Sequence, residues 1–302
     1  LTEDGSKKQP RALATEATAV PQSAGAGEAV RAARRGRNRA QAGEVPAVPK
    51  WFQSGFHAFL TPYLRRHFHC IGVHRQGYWP SGEPTGEPTI VYSNHPAWFD
   101  PLIAHYLNAQ LFTPRQFFAP IDAAALQQYQ VFAKLGFYGV DLQSASGAAA
   151  FLQTSLAILG DAQSALWITP EGRFCDVRDR SQPLLPGLAH LCSKLKCGRV
   201  IPLAMEYVFW HERLPLCLVR FGQPLEPTQA DTWDKPTWNA RLESGLRQTQ
   251  DQLAQSVIAR DAAAFQPLLL GRGGAGGLYD WMRRWKCWLT GKPFVPEHGD
   301  RF

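Results

Sequence analysis

Apolar residues recur at helical spacing over 51–67, where Trp51, Phe52, Phe56, Phe59, Leu60 and Leu64 fall on one side of a 3.6-residue turn. This pattern predicts an amphipathic helix. Arg65, Arg66 and His67 close it with positive charge, which suits the negative end of a helix. Further on, short continuous apolar runs alternate with longer mixed segments. The short runs predict strands over 70–74, 89–93, 117–119, 138–142, 165–169, 199–207 and 216–221. The longer segments predict helices over 101–108, 122–135, 145–159, 184–196 and 234–263, the last of them long and polar. Residues 80–88, rich in proline and glycine, read as a loop. Strands interleaved with helices predict an α/β fold with a mixed central sheet flanked by helices. No internal repeat interrupts this order.

The two ends of the chain depart from the pattern. Residues 1–49 are rich in Ala, Gly, Gln, Pro and Arg and carry almost no large apolar side chains. Such a segment cannot bury enough surface to offset chain entropy, so a disordered basic tail is expected. Its run Arg31, Arg34, Arg35, Arg37 and Arg39 suits either anionic lipid or plain solvation. At the other end, five glycines between 270 and 277 predict a hinge. Trp281, Trp285 and Trp288 then alternate with Arg283, Arg284 and Lys286 over 278–289. Aromatic and basic residues on one short helix mark an interfacial segment, or else a helix whose tryptophans cover the core. The expected division is a tail over 1–49, a folded domain over 50–265, and a hinge with its amphipathic segment over 266–302.

Size and charge narrow the function classes. The chain has 302 residues, 45% of them hydrophobic, which suffices for one large core. Its net charge is +7, of which nine basic and five acidic side chains in residues 1–50 account for +4. The folded part is therefore only mildly basic, unlike a nucleic-acid binder, which needs a concentrated basic stripe. The six cysteines show no C-x-x-C spacing, so no zinc site is expected and a reducing compartment fits. His67, His69 and Cys70 lack a second paired cluster to complete a metal site. No apolar run reaches the roughly 18 residues of a spanning helix, and no signal-like apolar region stands near the start. Membrane contact would then be peripheral, through 51–64 and 278–289.

Two short constellations carry chemistry. In Ser93-Asn94-His95-Pro96-Ala97-Trp98-Phe99-Asp100, a histidine precedes an aspartate by five positions, directly after an apolar strand. A general base needs one ring nitrogen free and the other held by an orienting group, commonly a carboxylate. Five positions put the two side chains on different faces of a regular helix. They meet only if the chain bends, and Pro96 favours a bend by biasing His95 away from helix. The plainer alternative is that Asp100 caps a helix starting at Pro101. The second constellation is Thr169-Pro170-Glu171-Gly172-Arg173-Phe174, at the end of another strand. It suits oxygen-rich or anionic groups, or is an ordinary turn with Gly172 supplying an unusual φ. Both lie at strand ends, where α/β folds place ligands.

The order Asn-His-x-x-x-x-Asp followed by Pro-Glu-Gly-Arg resembles the glycerolipid acyltransferase family, which includes the 1-acylglycerol-3-phosphate acyltransferases. Two further blocks fit it: Gly136-Phe137-Tyr138-Gly139-Val140-Asp141 and Val200-Ile201-Pro202-Leu203. The four blocks span about 90–205, and the likeness extends over about 50–225. The resemblance implies an acyltransferase domain over 50–265. It makes His95 the base and Asp100 its orienting carboxylate, with no covalent acyl-enzyme. Asn94, Gly139, Asp141, Glu171, Gly172, Arg173 and Pro202 would contact substrate. No cofactor or metal is implied; acyl-CoA or acyl-carrier protein serves as co-substrate, a lipid hydroxyl as acceptor, and the cytoplasmic face of a membrane as the place of work. The chain departs from the phosphate-accepting pattern in two places. No arginine follows Gly139, and Arg173 comes directly after Gly172, where the commoner form has one residue between. Both departures keep open an acceptor without phosphate, of lipid or carotenoid type. A silent lipid-binding relative and a soluble hydrolase are the competing classes. Retention of His95, Asp100 and Glu171 speaks against the first, and the lack of a separate nucleophile or metal against the second.

Overall fold

The computed structural model of the chain describes residues 43–80, 86–141, 144–227, 233–272 and 277–290. Residues 1–42 of the tail expected over 1–49, residues 273–276 of the expected hinge, the side chains of Trp281, Arg283 and Arg284, and residues 291–302 lie outside the described residues.

Helix α1 (Lys50–His67) leads into strand β1 (Cys70–His74) and then, past the loop, into β2 (Thr89–Ser93). Helix α2 (Asp100–Leu111), β3 (Gln116–Asp122), α3 (Ala123–Gln128) and β4 (Phe137–Val140) follow. Next come α4 (Ala145–Leu159), β5 (Ser164–Ile168), α5 (Gly187–Cys192), β6 (Arg199–Val208) and β7 (Leu216–Phe221). The chain continues with α6 (Lys235–Ile258), β8 (Phe265–Leu270) and α7 (Gly277–Thr290). The strands form one eight-stranded sheet in the order β4-β3-β5-β2-β6-β7-β1-β8. From β4 to β6 the pairings are parallel; β6 and β7 pair antiparallel, as do β1 and β8. The mixed sheet flanked by helices is the one the apolar pattern predicts.

The continuous burial of β1, β2, β5 and β7 follows from helices covering both faces. On one face Leu60 and Leu64 of α1 and Ile103, Leu107 and Leu111 of α2 pack with Val91, Ile201, Leu203 and Met205. On the other, Phe151 and Ile158 of α4, Leu188 of α5 and Leu242 and Leu246 of α6 pack with Ile90, Tyr92, Leu166 and Val200. Residues 201, 203, 205 and 207 of β6 share the first face by strand alternation, and Tyr207 packs at its margin.

Several boundaries differ from the expected ones. The helix expected over 122–135 breaks at Tyr129, and Gln130–Leu135 is a 3-10 helix. The helix expected over 184–196 shrinks to Gly187–Cys192. The one expected to reach 263 stops at Ile258, where Arg260 takes a left-handed conformation with φ 53°. The missed strand β8 (Phe-Gln-Pro-Leu-Leu-Leu) lies at the sheet edge, where its proline costs no ladder bond that the sheet needs. It carries the sheet through Leu270, past the expected domain boundary at 265. No helix among the described residues is long and apolar enough to cross a membrane.

Candidate active site

The site forms where β2 ends, with β5 and β6 on either side of it. The strand delivers Ser93 in register with Leu203, and Asn94 then leaves the sheet. Asn94 is buried. Its Nδ2 donates to the Met205 carbonyl at 2.9 Å, and its Oδ1 accepts from the Met205 amide at 2.8 Å. A side chain that pairs with a main chain in this way extends the ladder by one step and aims the next residue. That residue is His95.

His95 is held at its backbone and at its ring. Its N–H donates to Glu171 Oε2 at 2.9 Å, and its carbonyl accepts from the Cys175 amide at 2.9 Å. The ring Nδ1 lies 2.6 Å from Asp100 Oδ2. A turn makes this possible: the Asp100 amide donates to the Ala97 carbonyl at 3.1 Å, and the Ala97 amide donates back to Asp100 Oδ2 at 3.1 Å. The bend expected at Pro96 is present. Asp100 begins α2, yet its carboxylate caps no helical amide, and no side chain caps that helix at Phe99. The carboxylate faces back to Ala97 and His95. Its second oxygen accepts from the Tyr207 hydroxyl at 2.6 Å.

Asp100 is 2% exposed, so its charge sits out of water. Three donors satisfy it, as a buried carboxylate requires. Burial first, then the neighbouring Cys217 and Asp100, pushes the Tyr207 phenol well above its ordinary pKa. The phenol is therefore a neutral O–H donor. With Asp100 accepting at Nδ1, the uncharged imidazole carries its proton there and leaves Nε2 bare. The His95 side chain is 18% exposed, and the Phe174 ring lies 4.3 Å from its centroid at a tilt of 33°.

Glu171 follows the turn after β5. The Gly172 amide donates to the Thr169 carbonyl at 3.1 Å, and Gly172 takes φ +66°. A Cβ there would stand 2.3 Å from Leu185 Cδ1, the end of an exposed side chain that can turn aside, so it is the backbone conformation that calls for glycine. Glu171 has one oxygen on the His95 amide and the other on Arg247 Nη1 at 3.0 Å. Arg247, from α6, also reaches Gln250 Oε1 and the Gln182 carbonyl. Arg173 is half exposed and faces Asp179 at 3.4 Å. A small pocket, about large enough for one water, is lined by Glu171, Arg173, Asp179 and Arg247 among others, and the His95 ring is not part of its lining.

The structure thus brings His95, Asp100, Asn94, Glu171, Gly172 and Arg173 together. Gly139 and Asp141 lie on and just after β4, the edge strand three places from β2, roughly 14 Å away at ordinary strand spacing. Gly139 packs there against Ala123. Pro202 lies in β6 opposite Tyr92, and its carbonyl accepts from the Gly222 amide. Tyr207 and Arg247 escaped the sequence reading, and Phe174 stood in the second constellation without a role of its own. A signal existed for Tyr207: strand alternation puts it on the face of Leu203 and Met205, and a buried tyrosine hydroxyl needs a partner. Arg247 had none, since its partner is 76 positions away.

An imidazole with one nitrogen anchored on a buried carboxylate and the other facing away from it is chemically able to accept a proton. Residues 70–206 match the family model described as Acyltransferase, a span that holds His95, Asp100 and Glu171. Over that span the chain is similar to the acyltransferase family, a class of enzymes. Among solved structures it is similar to the 1-acyl-sn-glycerophosphate (LPA) acyltransferase PlsC from Thermotoga maritima, at 14% identity and a TM-score of 0.41, over 68% of this chain and 79% of that one. Comparison with curated proteins gives no match.

Proposed function

We propose that the chain transfers a fatty acyl group from a thioester, acyl-CoA or acyl-carrier protein, to a hydroxyl of a lipid. His95 is the general base and Asp100 its orienting carboxylate. The observation that carries this reading is the 2.6 Å contact between His95 Nδ1 and the buried Asp100. Nε2 takes the proton of the acceptor hydroxyl as its oxygen attacks the thioester carbonyl. The tetrahedral intermediate then expels sulfur, which takes that proton from the imidazolium and leaves as thiol. Asp100 stabilises the imidazolium in between. No protein nucleophile enters this scheme, in keeping with the burial of Ser93. Asn94 and Glu171 hold the histidine, and Gly172 and Arg173 border the acceptor.

A second reading of the acceptor has its own support. Arg173 faces Asp179, Arg178 pairs with Asp176 at 2.8 Å, Arg180 lies 3.6 Å from Asp251, and Arg247 is bound to Glu171. Each of these arginines already faces a carboxylate. An uncharged acceptor head suits such a surface better than a phosphate, which would have to displace a carboxylate.

Peripheral contact with a membrane completes the proposal. Phe174, whose ring lies against His95, is exposed, as are Trp98 in the turn before α2, Trp51 and Phe59 on α1, and Trp285, Trp288 and Leu289 on α7. Exposed aromatics of this kind suit the interfacial layer of a bilayer.

The test is release of free thiol from palmitoyl-CoA and palmitoyl-pantetheine, with lysophosphatidic acid, monoacylglycerol and a glycolipid as acceptors. Acceptor-dependent release by the wild type, lost by at least about 10²-fold in a folded His95→Ala, is the expected result. Release without any acyl product on lipid would make the chain a thioesterase and refute the proposal.

A further inference from the structure

Tyr207 stands one residue past the matched family span, at the end of β6 and opposite Cys217 of β7. Its ring packs against Phe68 at a centroid distance of 5.8 Å. Its hydroxyl meets the one Asp100 oxygen that neither His95 nor Ala97 uses. The Ala97 amide and the imidazole both sit on Oδ2. Those two contacts hold the carboxylate at one oxygen only. The phenol holds it at the other. It also draws part of the negative charge away from Oδ2, which faces the imidazole. Cys217 and Asp100 are the titratable groups that face the phenol.

We infer that Tyr207 is a positioning residue of the acyl-transfer reaction. It acts through Asp100: it sets the orientation of the carboxylate and the basicity of His95, and does not touch substrate. The catalytic unit is then a relay of three side chains from β6, α2 and the turn after β2. This inference rests on the acyltransferase reading for its kinetic consequence, though not for its effect on the imidazole.

The plain alternative is a buried tyrosine that merely found an acceptor. The two differ in what Tyr207→Phe does. Loss of a donor to a buried carboxylate leaves more charge on Oδ2 and raises the proton affinity of the imidazole beside it. The acid limb of the kcat profile should move up by about one pH unit, and kcat at the plateau should fall about 10-fold with both KM values unchanged. Site-specific 3-fluorotyrosine, a stronger donor, should move the limb down and retain the fold if the phenylalanine variant does not. An NMR titration of the His95 imidazole, identified by loss of its signal in His95→Gln, should show the same two shifts in resting enzyme. If both variants leave the imidazole pKa and the acid limb where the wild type has them, Tyr207 is structural and the inference is overturned. A wild type inactive on every thioester would sink the acyltransferase reading, while the titration would still decide the part played by Tyr207.

Discussion

Asp100→Asn removes one charge and keeps the shape, so its effect reads out what the charge contributes. The aspartate accepts three hydrogen bonds: His95 Nδ1 at 2.6 Å and the Ala97 amide at 3.1 Å on one oxygen, and the Tyr207 hydroxyl at 2.6 Å on the other. An asparagine can keep all three positions filled. Its amide oxygen faces Ala97, whose N–H accepts no substitute, and thereby also faces His95. Its NH₂ then faces Tyr207, whose hydroxyl turns to become the acceptor. The imidazole tautomer survives, and so does most of the stability. What disappears is the attraction between carboxylate and imidazolium in the transition state. Two unit charges about 4 Å apart interact by roughly 4 kcal/mol at an effective dielectric of about 20. That corresponds to about 10³-fold in kcat. The assay is thiol release from palmitoyl-CoA with the acceptor that the wild type uses, alongside a thermal melt of both proteins. A kcat within about 10-fold of wild type would mean that the charge is not used in the transition state. A loss of activity that merely tracks a lower melting temperature would return Asp100 to the role of a structural residue in the turn.

Other predictions concern stability and location. His105 is 1% exposed; its Nε2 donates to the Leu135 carbonyl at 3.0 Å and its Nδ1 faces His57 Nε2 at 3.1 Å. Desolvation holds it at about 4, against an ordinary 6.5. The unfolded chain therefore takes up a proton below about 6.5 that the folded protein refuses until about 4, so stability is full above 6.5 and is lost as pH falls through that window. Urea unfolding should show about 2 kcal/mol less stability from this group at pH 5 than at pH 7.5, and His105→Gln should remove that difference; an unchanged difference would show that the proton goes elsewhere. For the membrane, Trp285 and Trp288 are 57% and 75% exposed on α7. Their replacement by serine should lower pelleting with anionic vesicles roughly 10-fold without moving the melt; early melting would place these indoles in a core.

The sequence alone determined most of the strands and the meeting of His95 with Asp100. Buried strands such as Thr89–Ser93 and Ser164–Ile168 are short apolar runs, and their identity as strands follows from local periodicity. His95 and Asp100 are close in the chain, so a single proline-assisted bend sufficed to foresee their meeting. Tertiary structure decided what lies far apart. Whether Glu171 faces a ligand or the backbone of His95 depends on two strand ends being neighbours in the sheet. Arg247 reaches that carboxylate only because α6 packs across β6. Strand β8, with a proline in its middle, has little strand character of its own; it takes that form because β1 offers an unpaired edge, and pairing there satisfies backbone groups that would otherwise stay open. Helix ends moved for a related reason. Arg260 turned left-handed and ended α6 so that the chain could reach that edge. Local pattern records what each segment can bury, whereas contacts between segments depend on which faces the whole fold brings together, and no short window of the chain holds that information.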